Sequence, residues 1–240
     1  MKNVLITGAN KGIGFETARQ LAQLGYYVFL GSRNRDKGED AVQRLRGLGL
    51  ANVEAVEIDV ADMHSVMAAR VALEARIDAL DILINNAAIA GDQPQKISTG
   101  DIANLRNVFD TNYFGAIQVT QQFLPLLKKS RNPVILNVSS EVGSLSINTR
   151  PGRKDNWDNY NAYGSSKTAL NAFTVTLANE FRNTNFRINS VTPGYTATDL
   201  NQFQGIKTVE EGARPIVRLA TNSEDGPTMK FFGEDGEVAW

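Results

Sequence analysis

The sequence predicts an α/β fold: a doubly wound parallel sheet of about seven strands with helices on both faces. Two patterns carry that expectation. Short apolar runs, such as Val4-Leu5-Ile6, Ile82-Leu83-Ile84 and Val134-Ile135-Leu136, alternate with longer stretches of helical periodicity. A turn containing Gly8, Gly12 and Gly14 stands between the first apolar run and the first helix. A third observation sets the domain count. No internal repeat, low-complexity segment or long linker interrupts the 240 residues, so 1–240 read as one domain.

The elements follow in order. Residues 4–6 are a buried strand, and the helix after the glycine turn runs to Leu24 and stops at Gly25. Gly8 permits a tight turn, Gly12 lets backbone approach a pyrophosphate, and Gly14 lets the helix pack close to the strand. The helix N-terminus offers free N–H groups to phosphate. A glycine turn alone is also a plain strand-to-helix connection, so its placement after the first strand carries the weight. Residues 27–31 are the second strand, ending at Ser32-Arg33-Asn34-Arg35. A carboxylate here would bond a ribose 2′-hydroxyl. The chain has Ser32 and Arg33 instead, with Lys11 as a further positive charge in the glycine turn, which suits a 2′-phosphate. The plain alternative is a solvated basic turn.

A helix over 36–48 leads to a third strand, 53–58, with Asp59 and Val60 at its carboxyl end. Asp59 borders a ligand crevice or caps the next helix, although Asp62 is better placed to cap. The fourth strand, 81–84, runs into Asn85-Asn86-Ala87-Ala88, whose amides either tie neighbouring strands and border a ligand or simply make a turn. A polar loop spans 89–100, and helices span 101–110 and 112–129, with Asn112 opening the second. The fifth strand, 133–138, ends at Ser139-Ser140. Residues 141–159, including Pro151-Gly152-Arg153-Lys154-Asp155-Asn156-Trp157, read as an irregular polar loop. A helix to Phe181, a sixth strand over 187–191 broken by Pro193-Gly194, a helix near 208–219 and a short strand near 230–232 complete the chain.

Composition narrows function further. Hydrophobic residues make up 42%, enough for a large core, and 25 basic against 26 acidic residues give a net charge of −1. That balance provides no basic face for nucleic acid or a membrane surface. The absence of cysteine excludes disulfides, thiol nucleophiles and Cys-ligated metal. His64 has no second histidine to share a metal site or a triad and reads as a surface residue. With no leader-like segment and no apolar run long enough for a bilayer, the expected setting is cytoplasmic.

Tyr163-Gly164-Ser165-Ser166-Lys167 is the stretch around which chemistry gathers. A four-residue step puts Tyr163 and Lys167 on one helix face. An ammonium beside a phenol favours the phenolate, giving an acid that exchanges its proton reversibly. The same spacing occurs on many amphipathic helices, and by itself it decides nothing.

Together these motifs resemble the short-chain dehydrogenase/reductase family, from Val4 to at least Leu200. The resemblance rests on Thr7-Gly8-x-x-x-Gly12-x-Gly14, Asn85-Asn86-Ala87, Asn112, Ser140, Tyr163-x-x-x-Lys167 and Pro193-Gly194, in that order. Thr7 to Gly14, Arg33 and the long stretch before Tyr163 are most like the carbonyl reductase branch. The resemblance implies a Rossmann-like fold and a role for each motif. Tyr163 is the general acid, Lys167 lowers its pKa and holds the nicotinamide ribose, and Ser140 bonds the substrate carbonyl. Asn112 supports a water that leads protons to Lys167. The cofactor lies along Gly8, Asn10, Lys11, Gly12, Ile13 and Gly14, meets Arg33, Asp59 and Val60, and passes Asn86 and Ala87. Pro193, Gly194, Thr196 and Thr198 border the nicotinamide. Ala88 stands where the family commonly has glycine. The insertion before Tyr163, associated with monomers in that branch, is modest here, so monomer and homo-oligomer both stay open.

The expected function is reduction of ketones or aldehydes with NADPH, reversible to alcohol oxidation, with NADH the less favoured cofactor. A small carbonyl or alcohol compound is the expected partner, without metal, nucleic acid or membrane. Two alternatives stand beside it: an NAD-dependent sugar or steroid dehydrogenase on the same fold, and a non-catalytic NADP-binding sensor or scaffold. The intact Ser140, Tyr163 and Lys167 argue against the last, since a sensor needs no proton donor. Substrate choice is expected to reside in loops near 89–100, 141–159 and 195–207.

Overall fold

The computed structural model describes residues 1–152, 155–222 and 226–240. Its strands are β1 (Asn3–Ile6), β2 (Tyr27–Ser32), β3 (Val53–Glu57), β4 (Ile82–Asn85), β5 (Val134–Val138), β6 (Arg187–Val191), β7 (Phe231–Gly233) and β8 (Gly236–Glu237). They form one sheet in the order β3-β2-β1-β4-β5-β6-β7-β8. Every pairing from β3 to β7 is parallel, and β8 pairs antiparallel with β7. The expected parallel sheet is therefore present, extended by a two-residue eighth strand too short to show a pattern in sequence.

The helices are α1 (Gly12–Gln23), α2 (Arg35–Gly47), α3 (Met63–Glu74), α4 (Ile102–Phe109), α5 (Gly115–Leu127), α6 (Leu145–Asn148), α7 (Asn161–Glu180) and α8 (Val209–Thr221). Their starts follow local chemistry. Asn34, Asp62, Asp101 and Thr208 each accept a backbone N–H at a helix start. Asp62 does cap α3, which leaves Asp59 free of that task. His64, next to that cap, has a side chain 99% exposed, as a surface residue should be.

Alternation along each strand divides the core into two layers. Val4, Ile6, Val28, Leu30, Ile84 and Leu136 face α1, α2 and α8, where Leu21, Leu45 and Ile216 meet them. Leu5, Phe29, Leu83, Ile135 and Ile188 face the opposite layer, where Leu73 of α3, Phe123 of α5 and Leu177 of α7 pack. Fully burying one such side chain contributes about 1.5–3 kcal/mol. The sheet is thus covered on both faces, and a broad cleft opens along the strand ends. Among the described residues no helix is long and apolar enough to cross a membrane.

Two departures bear on the site. The predicted helices over 101–110 and 112–129 are one continuous rod interrupted by a π-helical turn, Asp110–Phe114, which holds Asn112. The stretch 141–159 is not an irregular loop. It holds a 3₁₀ turn (Glu141–Gly143), α6 and a second 3₁₀ segment (Asp155–Tyr160), while the Arg153-Lys154 part of the expected loop lies outside the described residues. Its polar side chains supplied the loop reading. Its order comes from the C-terminal tail: Ser146 N–H donates to Trp240 O at 2.8 Å, and Ser144 Oγ to Ala239 O at 2.7 Å. Trp240 in turn stacks on Phe231, ring centroids 5.7 Å apart.

Candidate active site

A cleft of about 990 Å³ runs along the carboxyl ends of β1 to β6. It crosses the point where the strand order turns from β1 to β4, the place where open α/β sheets bind ligands.

One end is made of backbone. Gly8 has φ 65°, and a Cβ there would lie 2.9 Å from Ala87 Cα. A Cβ on Gly14 would lie 2.5 Å from Asn86 Nδ2 and 2.7 Å from Gly8 O. Neither position accepts a side chain without backbone movement. Asn86 Nδ2 donates to Thr7 O at 2.9 Å and Gly8 O at 3.1 Å, and Thr7 Oγ1 accepts from the N–H groups of Asn86 and Ala87, both at 3.0 Å. The turn after β4 therefore braces the turn after β1, and the Asn85-Asn86 pair is no simple turn. Asn85 Nδ2 also donates to Asn137 Oδ1 at 2.8 Å and Thr120 Oγ1 at 3.0 Å, joining β4 to β5 and α5. Ala88 has no positive φ, so the backbone there does not demand the family's glycine.

Lys11 at the start of α1 makes no side-chain cap, and the first turn holds no acidic residue. The N–H groups of that turn are left for an anion. Arg33 is exposed and lines the cleft. Its neighbour Ser32 does not: it is 3% exposed and its Oγ donates to Asn34 O at 2.8 Å, since it is the last residue of the buried strand β2 and Arg33 lies past the strand end. Lys11 Nζ sits 2.9 Å from Asp199 Oδ2 across the cleft mouth, so it is already ion-paired. Asp59 lines the cleft while its carboxylate accepts from Ala61 N–H at 3.0 Å. On the far wall, Thr196 Oγ1 donates to Pro193 O at 3.2 Å, and Thr198 starts the 3₁₀ turn Asp199–Asn201 with a reciprocal cap from Asn201.

The other end is made of side chains. Gly143 and Gly164 let the segment after β5 lie against α7: a Cβ on Gly143 would meet Lys167 Cβ at 2.7 Å, and one on Gly164 would meet Val142 O at 3.0 Å. This packing brings Ser140 to Tyr163, and their hydroxyls hydrogen-bond. Lys167 is 2% exposed; its Nζ donates to Val138 O at 2.7 Å and lies 5.5 Å from the Tyr163 ring centroid. Burial lowers the Lys167 ammonium to about pKa 7. Burial also pushes the Tyr163 phenol above its usual value; the Ser140 bond opposes this and Tyr160 adds to it. The expected lowering of the Tyr163 pKa by Lys167 is therefore not what this geometry gives. Desolvation disfavours both charged forms at once.

Asn112 also departs from expectation. It is 1% exposed and does not line the cleft. Its Oδ1 accepts from Ile89 N–H at 2.9 Å, and its Nδ2 donates to Ile89 O and Ser166 Oγ, each at 3.0 Å. The side chain ties the 89–100 loop to α7. All the other expected site residues line the cleft. Sequence reasoning passed over Gln95, whose Oε1 accepts from Tyr163 N–H at 3.1 Å, and Asp199 and Glu141. Position directly after Ser140 was the one signal for Glu141.

A family model for short chain dehydrogenases matches residues 2–208. The chain belongs to the short-chain dehydrogenase family. Among its relatives, the short-chain dehydrogenase anuI of Penicillium roqueforti is 38% identical over 237 residues, 96% of this chain and 92% of that one. The (+)-neomenthol dehydrogenase of Capsicum annuum is 32% identical over 297 residues, covering 95% and 94%. Among solved structures, NADPH-bound carbonyl reductase from chicken fatty liver superposes with TM-score 0.87 at 26% identity, covering 100% of this chain and 99% of that one. Salutaridine reductase from Papaver somniferum gives 0.84 at 29% identity, covering 98% and 100%. As a short-chain dehydrogenase, the protein is an oxidoreductase dependent on NAD(P)H, acting on a small molecule.

Proposed function

We propose that this short-chain dehydrogenase is an NADPH-dependent reductase of ketones or aldehydes, reversible to alcohol oxidation. The observation that carries the reading is the cleft itself. Its glycine-turn end has a side-chain-free cradle and an uncapped helix N-terminus, and its opposite end joins Ser140, Tyr163 and Lys167. The residues present fit the nicotinamide dinucleotide. Gly8, Gly12 and Gly14 with the first turn of α1 would hold the pyrophosphate, Arg33 the 2′-phosphate, Asp59 and Val60 the adenine side, and Pro193-Gly194 through Thr198 the nicotinamide side.

A bound reduced nicotinamide supplies the hydride. The chain's own residues handle the oxygen. As negative charge grows on a carbonyl oxygen, the Ser140 and Tyr163 hydroxyls are two donors positioned for it. Tyr163, held neutral by burial, keeps its proton until that charge arrives and then gives it up. Lys167, fixed by Val138 O beside the ring, supplies positive charge that stabilises the resulting phenolate. Asn112 and Gln95 position α7 without meeting the substrate.

Arg33 favours NADPH over NADH in this reading, in line with the NADPH-bound carbonyl reductase among the structural neighbours. The test is consumption of NADPH and NADH, side by side at fixed salt, with a panel of ketones, aldehydes and quinones. Faster turnover with NADPH supports the reading. A preference for NADH, with sugars or sterols as the alcohols oxidised, would replace it.

A further inference from the structure

The substrate end of the cleft holds a charge that carbonyl reduction does not use. Glu141 directly follows Ser140, is partly buried, and lines the cleft together with Trp157, Tyr160 and Tyr195. Its backbone is fixed, because its carbonyl accepts from Ser144 N–H at 3.0 Å within a 3₁₀ turn. Its carboxylate has no hydrogen-bond or ion-pair partner among the described residues. Lys167 does not neutralise it: that ammonium donates to Val138 O, and its shift arises from burial alone. Of the other cleft-lining cations, Lys11 is paired with Asp199 and Arg33 stands at the end of β2, on the other side of β1.

An unpaired carboxylate on the wall of a closing site selects by charge. It repels an anion, and an apolar group laid against it strips its water without replacement. An ammonium group satisfies it. The aromatic walls act in the same sense, since ring faces attract cations. Tyr160 stands 6.4 Å from Tyr163 between ring centroids, and Tyr195 lines the same cleft.

We propose that Glu141 is a specificity-determining residue and that the favoured carbonyl substrates carry a protonated or quaternary amine. The proposal rests on the carbonyl-reductase reading of the same site. The test compares three aryl ketones of similar shape with NADPH: one bearing trimethylammonium, one its neutral tert-butyl isostere, and one bearing sulfonate. Values of kcat/KM are measured for the unmodified protein, Glu141→Gln and Glu141→Lys. The unmodified protein should prefer the cation to its isostere by about tenfold, the scale of one partly desolvated cation contact. The preference should fall towards one in Glu141→Gln, mainly through KM, and turn towards the sulfonate in Glu141→Lys. Added salt should shrink it. Reduction of the neutral ketone with no cation preference, or a preference that survives both substitutions, overturns the assignment while leaving the carbonyl-reductase reading intact. Reduction of none of the three overturns both.

Discussion

The two ends of the cleft are built from different materials. At the glycine turn the surface is backbone: Gly8 and Gly14 approach Ala87 and Asn86 too closely for any Cβ, and α1 presents bare N–H groups. At the reacting end the surface is side chains from β5, α7 and three separate segments, held by single contacts such as Gln95 to Tyr163 and Asn112 to Ser166. A backbone cradle admits few residue types at fixed spacing, so it leaves a short motif. A side-chain pocket is set by packing between distant segments, and its composition is free to vary. The first end suits a ligand shared across a family, and the second a substrate that differs from member to member.

The largest test of this division is Tyr163→Phe. The ring and its packing remain while the donor goes, so turnover should fall by about 100-fold or more, the usual scale for a lost general acid. NADPH affinity, measured by fluorescence titration, should stay within a few-fold because the cradle is elsewhere. Near-normal reduction of every accepted ketone would remove Tyr163 from the mechanism. A large loss of NADPH binding would show that the two ends are not independent.

Lys167 provides a second test, on stability. Its folded pKa of about 7 lies below the ordinary lysine value of 10.5, so between those values the unfolded chain binds more protons than the folded one. Unfolding free energy in the absence of added cofactor should therefore rise with pH from about 7 to about 10. Below 7 the burial penalty is present in full. Tyr163, with a raised pKa, contributes the opposite slope only above about 10. The expected rise is on the order of a few kcal/mol. Denaturant melts of the unmodified protein and Lys167→Met across this window should show the slope in the first and its loss in the second. The same slope in both would place the lysine's charge in water.

The contrast also explains what the sequence made legible. Gly8, Gly12 and Gly14, Asn86 and the Tyr163–Lys167 step each obey a local rule, and the structure brings them to one cleft. Asn112 obeyed no local rule; its assignment came from resemblance, and in the structure its side chain ties the 89–100 loop to α7. The order within 141–160 was hidden because it depends on Ala239 and Trp240, almost a hundred residues later. Ser32 was misjudged because β2 and its burial extend through it, while Arg33 just past the strand end reaches the cleft. Lys11 was counted as a free cation because Asp199 is far away in sequence.

That last point sharpens the cofactor test. On the proposed NADPH reading, with Ser32 buried and Lys11 paired, discrimination of the 2′-phosphate would fall mainly on Arg33. Arg33→Ala should weaken NADPH binding by about tenfold, as expected for one exposed charge-assisted contact, and NADH binding by much less. The difference should narrow at high salt. An equal effect on both cofactors would mean that the guanidinium meets the adenine and not the phosphate.

The smallest expected effect lies at the mouth of the substrate end. Trp157 belongs to the 3₁₀ segment Asp155–Tyr160 and lines the cleft, while retaining some exposure. A large flat side chain at a cleft mouth contributes area to a bulky ligand and none to a ligand that stops short of it. Trp157→Ala should therefore raise KM a few-fold for bulky ketones, with little change for small ones, because the part of its surface already wet in the free protein limits what binding can gain. The turnover number should hold for both, since the indole is neither the proton donor nor its charge partner. A uniform change across substrate sizes would mean that Trp157 orders its own segment and does not measure the substrate. A change in NADPH affinity would undo the contrast itself, because a residue of the side-chain end would then be holding up the backbone end.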